Sequence, residues 1–251
     1  MYRLLWFQHL SKAAGTTVIE LAQQNGEQFY PRHSNANPRN EDGALIRLWE
    51  LDPTALTAFV DDCQSKGVTF VATEWGSPLF EVLAADERVL LLTSLRDPVE
   101  RFLSSYYYSY YRGDTSCPTP LSYLGTDWIY SHPNYYTRVF SRQYATDHTV
   151  DRSDFECARA QLALFDHCLI IERENAFGRL TEALGWSHLS IHANPTRLNA
   201  WQVLKMLLKG RIHLLLRRIL HPRHRPPAEV IAHLREQNDW DEQLYRQLRT
   251  D

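Results

Sequence analysis

The stretch Phe7-Gln-His-Leu-Ser-Lys-Ala-Ala-Gly-Thr-Thr-Val18 carries the reading of the fold. An apolar run over 2–9 enters a loop of small residues with one lysine, Lys12, and leaves it through a Thr-Thr pair that can cap a helix over 16–24. Backbone N–H groups at such a helix start, with a lysine in the loop, suit a phosphate or similar anion. A second stretch, Leu92-Thr-Ser-Leu-Arg-Asp-Pro-Val-Glu-Arg-Phe-Leu-Ser104, has the same plan. It places Arg96 at a strand's end and Ser104 on the helix that follows. One anion site at each of two strand ends points to a ligand with two separated anionic groups.

Outward from these segments the chain alternates strands and helices. Short apolar runs over 2–9, 68–73, 89–93 and 167–171 read as strands. Helices are expected over 16–24, 53–65, 98–111, 135–144, 153–165, 175–184 and 227–248. Pro98 and Pro227 suit first-turn positions, and Ser153 with Glu156 has capping-box spacing. Such alternation implies a parallel sheet with right-handed crossovers, whose ligands bind beyond the strands' carboxyl ends, where Lys12 and Arg96 sit. The Pro/Asn-rich stretch over 30–43 reads as a surface loop.

A chain of 251 residues can bury a large core, and one domain over 1–251 is expected. Aromatics at 12% exclude a disordered tail. Cys63, Cys117, Cys157 and Cys168 are too few and too scattered for a disulfide scaffold, so reduced thiols are expected. The first strand follows Met1 within a few residues and leaves no room for a signal peptide, which suggests a cytoplasmic protein or a trimmed catalytic domain.

The two segments resemble the nucleotide-binding signatures of sulfotransferases that use 3′-phosphoadenosine 5′-phosphosulfate (PAPS). The resemblance is closest to the branch of the heparan sulfate 2-O- and 6-O-sulfotransferases. The branch pattern F-x-H-x-x-K-x-x-G-T-T is matched by Phe7, His9, Lys12, Gly15, Thr16 and Thr17, although Ala13-Ala14 replaces the usual Thr-Gly. The pattern L-R-D-P-V-x-R-x-x-S is matched by Leu95, Arg96, Asp97, Pro98, Val99, Arg101 and Ser104. A terminal N-x-x-D-x-x-L-Y is matched by Asn238, Asp241, Leu244 and Tyr245.

The resemblance implies a P-loop-like three-layer α/β fold, a central parallel sheet flanked by helices. It implies a 5′-phosphosulfate loop made of Lys12, Ala13, Ala14, Gly15, Thr16 and Thr17, with Gly15 allowing close backbone approach, and a 3′-phosphate site made of Arg96 and Ser104. It also implies a general base just after a central strand. There the 6-O-sulfotransferases carry H-A-D-W and this chain has Ala72-Thr-Glu-Trp75, so Glu74 is the candidate base, with His33 in the preceding loop as its substitute. Acceptor contacts are expected from His33, Trp75 and Arg138, the last from a resemblance of Asn134-Tyr-Tyr-Thr-Arg138 to the family's N-x-Q-T-R helix start. Thr137 is expected to face the site as well, and the Asn194-Pro-Thr-Arg197 loop to lie near the nucleotide.

One region stands outside this resemblance. Between Glu182 and Glu229 there is no Asp or Glu, yet eight of the chain's 27 Lys/Arg. The segment 201–225 reads as a basic amphipathic helical insertion, and 201–220 carries too many cations to span a membrane. It is either an interfacial helix or lid over an anionic or lipid-linked acceptor, at the inner face of a membrane, or a helix packed on the domain with its cations in water. The expected function is PAPS-dependent, metal-independent transfer of a sulfuryl group to a hydroxyl, on a carbohydrate or glycolipid, with no nucleic-acid partner. The alternative is a non-catalytic nucleotide- or glycan-binding protein on the same scaffold. A P-loop kinase is disfavoured because no GxxxxGK[ST] occurs.

Overall fold

The computed structural model describes residues 2–126, 129–190 and 212–250. In chain order its elements are β1 (Leu4–Gln8), α1 (Gly15–Gln24), the two-residue strands β2 (His33–Ser34) and β3 (Asn37–Pro38), α2 (Pro53–Ser65), β4 (Phe70–Thr73), α3 (Phe80–Ala84) and β5 (Val89–Leu95). There follow α4 (Pro98–Arg112), α5 (Pro120–Tyr123), α6 (Tyr135–Phe140), α7 (Arg152–Leu162), β6 (His167–Ile170) and α8 (Ala176–Leu184). The last are α9 (Ile212–Leu220), α10 (Ala228–Gln237) and α11 (Asp239–Thr250).

Every side chain of β1 is buried, as expected of a strand covered on both faces of a parallel sheet. The sheet order is β4-β1-β5-β6, all parallel. Leu4 and Trp6 point into a core shared with α2, α3, α6, α7 and α11, whereas Leu5 and Phe7 pack on α1 and α8. Helices therefore cover both faces of the sheet. From β1 the chain crosses to β4 on one side, then returns over β1 to β5 on the other, so its direction of travel reverses around β1. Gln8 pairs with both Thr73 and Thr93, which brings the carboxyl ends of three strands into line at this reversal.

Several local expectations are corrected. The helix after Lys12 starts at Ala14 in a left-handed conformation with no side-chain cap; Thr16 and Thr17 lie inside its first turn. The capping box of α7 is formed by Asp151 and Asp154, two residues earlier than Ser153 and Glu156. Helix α6 stops at Phe140 instead of 144. Arg142 takes a positive φ, and the Gln143 N–H donates back to the Arg138 carbonyl, a closure that ends a helix. The helix expected over 227–248 is two helices broken at Asn238, whose Nδ2 donates to the Leu234 carbonyl while its Oδ1 accepts from the Asn134 N–H. The stretch over 30–43 is not simply a surface loop: β2 and β3 form a hairpin, and Ala36 and Asn37 are buried in it.

The tyrosine run of α4 is core for the most part, with Tyr106, Tyr107, Tyr110 and Tyr111 buried. Against it lies α9, the described part of the basic segment. Arg217 stacks 5.0 Å over the Tyr110 ring and donates to the Thr115 carbonyl at 2.8 Å. Arg218 stacks 5.0 Å over Tyr111. These two cations turn inward, opposite to a packed helix with its charges in water. Residues 201–211 and the loop 194–197 lie outside the described residues. No helix among the described residues is long and apolar enough to cross a membrane.

Candidate functional site

A cleft of about 640 Å³ opens at the carboxyl ends of β1, β4 and β5. Its floor is the loop and first turn carrying His9, Lys12, Gly15, Thr16 and Thr17; its walls carry Glu74 and Trp75 after β4, Arg96 after β5, and Ser104 on α4. Lys12, Ala14, Gly15, Thr16, Thr17, Glu74, Trp75, Arg96 and Ser104, all singled out from sequence, thus share one cavity.

The lysine loop is held by its backbone. The Ser11 N–H donates to the Tyr135 hydroxyl at 3.2 Å, and the Ser94 hydroxyl donates to the Ala13 carbonyl at 2.6 Å. Between and after these anchors Lys12 and Ala14 adopt positive φ, which costs about 1–2 kcal/mol per non-glycine residue and persists because both neighbours are pinned. The same turn corrects one expectation: Ala13 points into the core, fully buried, and lines no part of the cleft. With no side-chain cap, the first N–H groups of α1, those of the cleft-lining Gly15, Thr16 and Thr17, have no intrahelical partner.

Gly15 has a packing reason of its own. A Cβ there would lie 1.8 Å from His9 Cδ2 and 1.9 Å from Nε2. His9 is almost fully buried, stacked on Phe7, and its Nδ1 is 3.5 Å from Glu74 Oε2. Burial, with the nearby Lys12 charge, pushes the imidazole pKa down to about 4. His9 is therefore neutral at neutral pH, and the contact with Glu74 is no ion pair. Burial raises the Glu74 carboxyl above the usual range, partly opposed by Lys12. Lys12 itself is held below the usual lysine range by burial first and then by Arg96 and Arg223. Its ammonium sits 3.9 Å over the ring of Tyr108, whose hydroxyl accepts from Arg112. The carboxyl and the amine are thus shifted toward one another: an acid that holds its proton more tightly, beside an amine that holds its own more loosely.

Arg96 is fixed through its main chain. Its N–H donates to the Tyr136 hydroxyl at 3.0 Å, and that hydroxyl donates to the Arg96 carbonyl at 2.8 Å. The guanidinium lies 3.9 Å from both Glu100 and Glu172, too far for a hydrogen bond, and its Nε is buried without a partner. This planar donor set is in loose ion pairs with two carboxylates but hydrogen-bonded to neither, which leaves N–H groups for an anion. The neighbouring Asp97 caps α4 and accepts from Arg235, and its N–H donates to Glu172. Tyr245 donates to the other oxygen of Glu172.

Other expected residues fall elsewhere. Arg138 is buried, with its guanidinium spent on the carbonyls of Pro133, Ala145 and His148. Thr137 is likewise buried and donates to Asp241, which also accepts from the N–H groups of Tyr136 and Thr137. Neither faces the cleft. Arg101 donates to the Tyr130 carbonyl and stacks on Tyr135, so it serves the core. His33 does not line the cavity; its Nδ1 accepts from the Ala36 N–H and its ring meets Phe29. Its neighbours Ser34 and Asn35 do line it, as does Tyr108. Asn37 accepts from the Glu74 N–H at 3.0 Å and so ties this hairpin to Glu74. The hairpin had a signal in Ser34-Asn-Ala-Asn37, a turn-prone run; Tyr108 had none apart from its neighbours. Asn238, Asp241, Leu244 and Tyr245 are all buried and hold α6 and the Arg96 loop in place. No protein-family model matches the chain, and no curated protein matches it either.

Proposed function

We propose that this chain is a PAPS-dependent sulfotransferase of the heparan sulfate 2-O-/6-O-like branch, with a P-loop-like fold, acting on a hydroxyl of a carbohydrate or glycolipid. The observation that carries the reading is the convergence of Lys12, the uncapped start of α1, Arg96 with Ser104, and the Glu74 carboxyl on one cleft. Arg96 and Ser104 would hold the 3′-phosphate, and Lys12 with the α1 amides the 5′-phosphosulfate. In the transfer, the acceptor oxygen bonds to sulfur as the bond from sulfur to the bridging phosphate oxygen breaks. Glu74 takes the acceptor's proton, and Lys12 offsets the charge that builds on the bridging oxygen. Adenosine 3′,5′-bisphosphate leaves. The raised Glu74 pKa suits a base working near neutral pH.

Calorimetry with adenosine 3′,5′-bisphosphate and AMP tests the nucleotide assignment. The bisphosphate is expected to bind better, and Arg96→Ala to lose about 1.5–3 kcal/mol of that affinity. Equal affinity for the two nucleotides would refute it. Labelled transfer from PAPS to a panel of hydroxyl acceptors tests the chemistry: Glu74→Gln should lower turnover ~10²–10⁴-fold with bisphosphate affinity unchanged, while Lys12→Ala should lower both. Bisphosphate binding with no transfer to any acceptor would favour a non-catalytic binder, in line with Ala72 standing where a histidine base is expected.

A further inference from the structure

Helix α9 is built inside out. Ile212, Leu216, Ile219 and Leu220 are 52%, 48%, 64% and 68% exposed. Their spacing of four, three and one residues puts them on one side of the helix. They are half of the large apolar side chains that are exposed among the described residues. Leu214 faces the other way, buried against α4 near Gly113, and Arg217 and Arg218 stack on Tyr110 and Tyr111. The tyrosine hydroxyls add to this seat, Tyr111 donating to the His221 carbonyl and Tyr107 to that of His224. The apolar face is thus fixed outward by contacts on the opposite side, and leaving it in water carries a cost.

The surrounding charge narrows the occupant. Arg223 and Arg225 follow α9 and are exposed, the first 5.6 Å over the Tyr107 ring and the second in a loose 4.0 Å pair with Glu100, and no carboxylate occurs in the sequence between Glu182 and Glu229. A second copy docked through the same face would bring like cations together, which opposes a symmetric dimer. An anionic lipid surface complements both features: the acyl boundary takes the apolar stripe and the headgroup phosphates take the arginines. No described helix is long and apolar enough to cross a bilayer, and the five Lys/Arg of 201–220 oppose a span, which leaves the interface plane for α9. We propose that α9 is the docking surface of this chain for an anionic lipid bilayer. Docking there holds α4, whose Ser104 and Tyr108 line the cleft, at the lipid surface. The proposal does not depend on what the cleft binds.

The full-length chain is sedimented with phosphatidylcholine vesicles that contain or lack phosphatidylglycerol. Binding is expected only with phosphatidylglycerol, and release as salt rises. Leu216→Glu with Ile219→Glu should lower the partition coefficient at least ~tenfold. Arg223→Gln and Arg225→Gln should each lower it roughly fivefold at low salt. Leu216 and Ile219 are exposed, so the thermal melt of the double glutamate variant should match wild type. No binding to phosphatidylglycerol vesicles at low salt overturns the proposal. So does undiminished binding by the double glutamate variant, which would make the attraction one of charge alone. A wild-type dimer that the same variant splits would assign the stripe to a second copy and overturn it too.

Discussion

Gly15→Ala tests whether the lysine loop is built on the His9 ring. The new methyl group would fall 1.8 Å from Cδ2 and 1.9 Å from Nε2, inside the ring's van der Waals envelope. The ring has little room to yield, since it is almost fully buried and stacked on Phe7 with centroids 5.6 Å apart. Overpacking of this kind costs about 1–3 kcal/mol, and the upper end applies where relief is blocked. The φ of Gly15 is not positive, so alanine fits the backbone and returns up to ~1 kcal/mol through the unfolded chain. The net loss is about 2 kcal/mol, a fall in Tm of roughly 4–8 °C for a chain of this length. Urea unfolding read by fluorescence gives the free energy, and the double-mutant cycle with His9→Ala gives the coupling. In the His9→Ala background the methyl group enters vacated space, so the penalty should vanish or reverse, a coupling of about 2 kcal/mol or more. A Gly15→Ala variant as stable as wild type, or penalties that simply add, would refute the ring's placement.

His9 also predicts a pH dependence. Its folded pKa of about 4 lies below the ordinary 6.5, so the unfolded chain takes up the proton first. Stability from this group is fully present above pH 6.5 and is lost as pH falls toward 4, roughly 3 kcal/mol in all; His9→Gln should flatten that part of the urea-midpoint profile. Tyr136→Phe strips both hydrogen bonds from the Arg96 main chain and should cost about 1–3 kcal/mol on urea unfolding, together with weaker bisphosphate binding by calorimetry. Asp241→Asn removes one of two acceptor oxygens that serve three buried donors at the start of α6, for a loss of about 2–3 kcal/mol in the same unfolding assay; wild-type stability there would mean that water replaces the carboxylate.

The four principal strands and most helices were legible because their signals are local. β1 and β5 open on unbroken apolar runs, Leu4–Phe7 and Val89–Leu92, and Pro53 and Pro98 mark helix starts by their fixed φ. Lys12, Arg96 and Ser104 were legible for a related reason, since the ends of parallel strands share one edge wherever the crossovers lead. Ala13 and Arg138 were misplaced because the side a loop or short helix presents depends on its anchors. For Ala13 these include Ser94, and for Arg138 they are three carbonyls, none of which has a sequence pattern. The break at Asn238 was hidden because its helical propensity is only mildly poor; what stops the helix is a hydrogen bond to Asn134, 104 positions earlier. The orientation of α9 was hidden as well, because an amphipathic pattern reveals two faces without telling which one the tyrosines will hold.

The dependence of the cleft on the last elements has a consequence for biosynthesis. Lys12, Glu74 and Arg96 are translated early, but Asp241 braces α6, Tyr245 and Arg235 brace the Arg96 loop, and the partners lie 73 to 138 positions apart. Contacts so distant in sequence close late, after the ribosome has released most of the chain. A nascent chain therefore exposes the charged groups of the cleft for many seconds before they are assembled into one cavity. On the proposed reading, nucleotide affinity becomes a signature of a finished molecule, and a fragment halted short of α11 is expected to be inert toward the bisphosphate while still carrying every residue that lines the cleft.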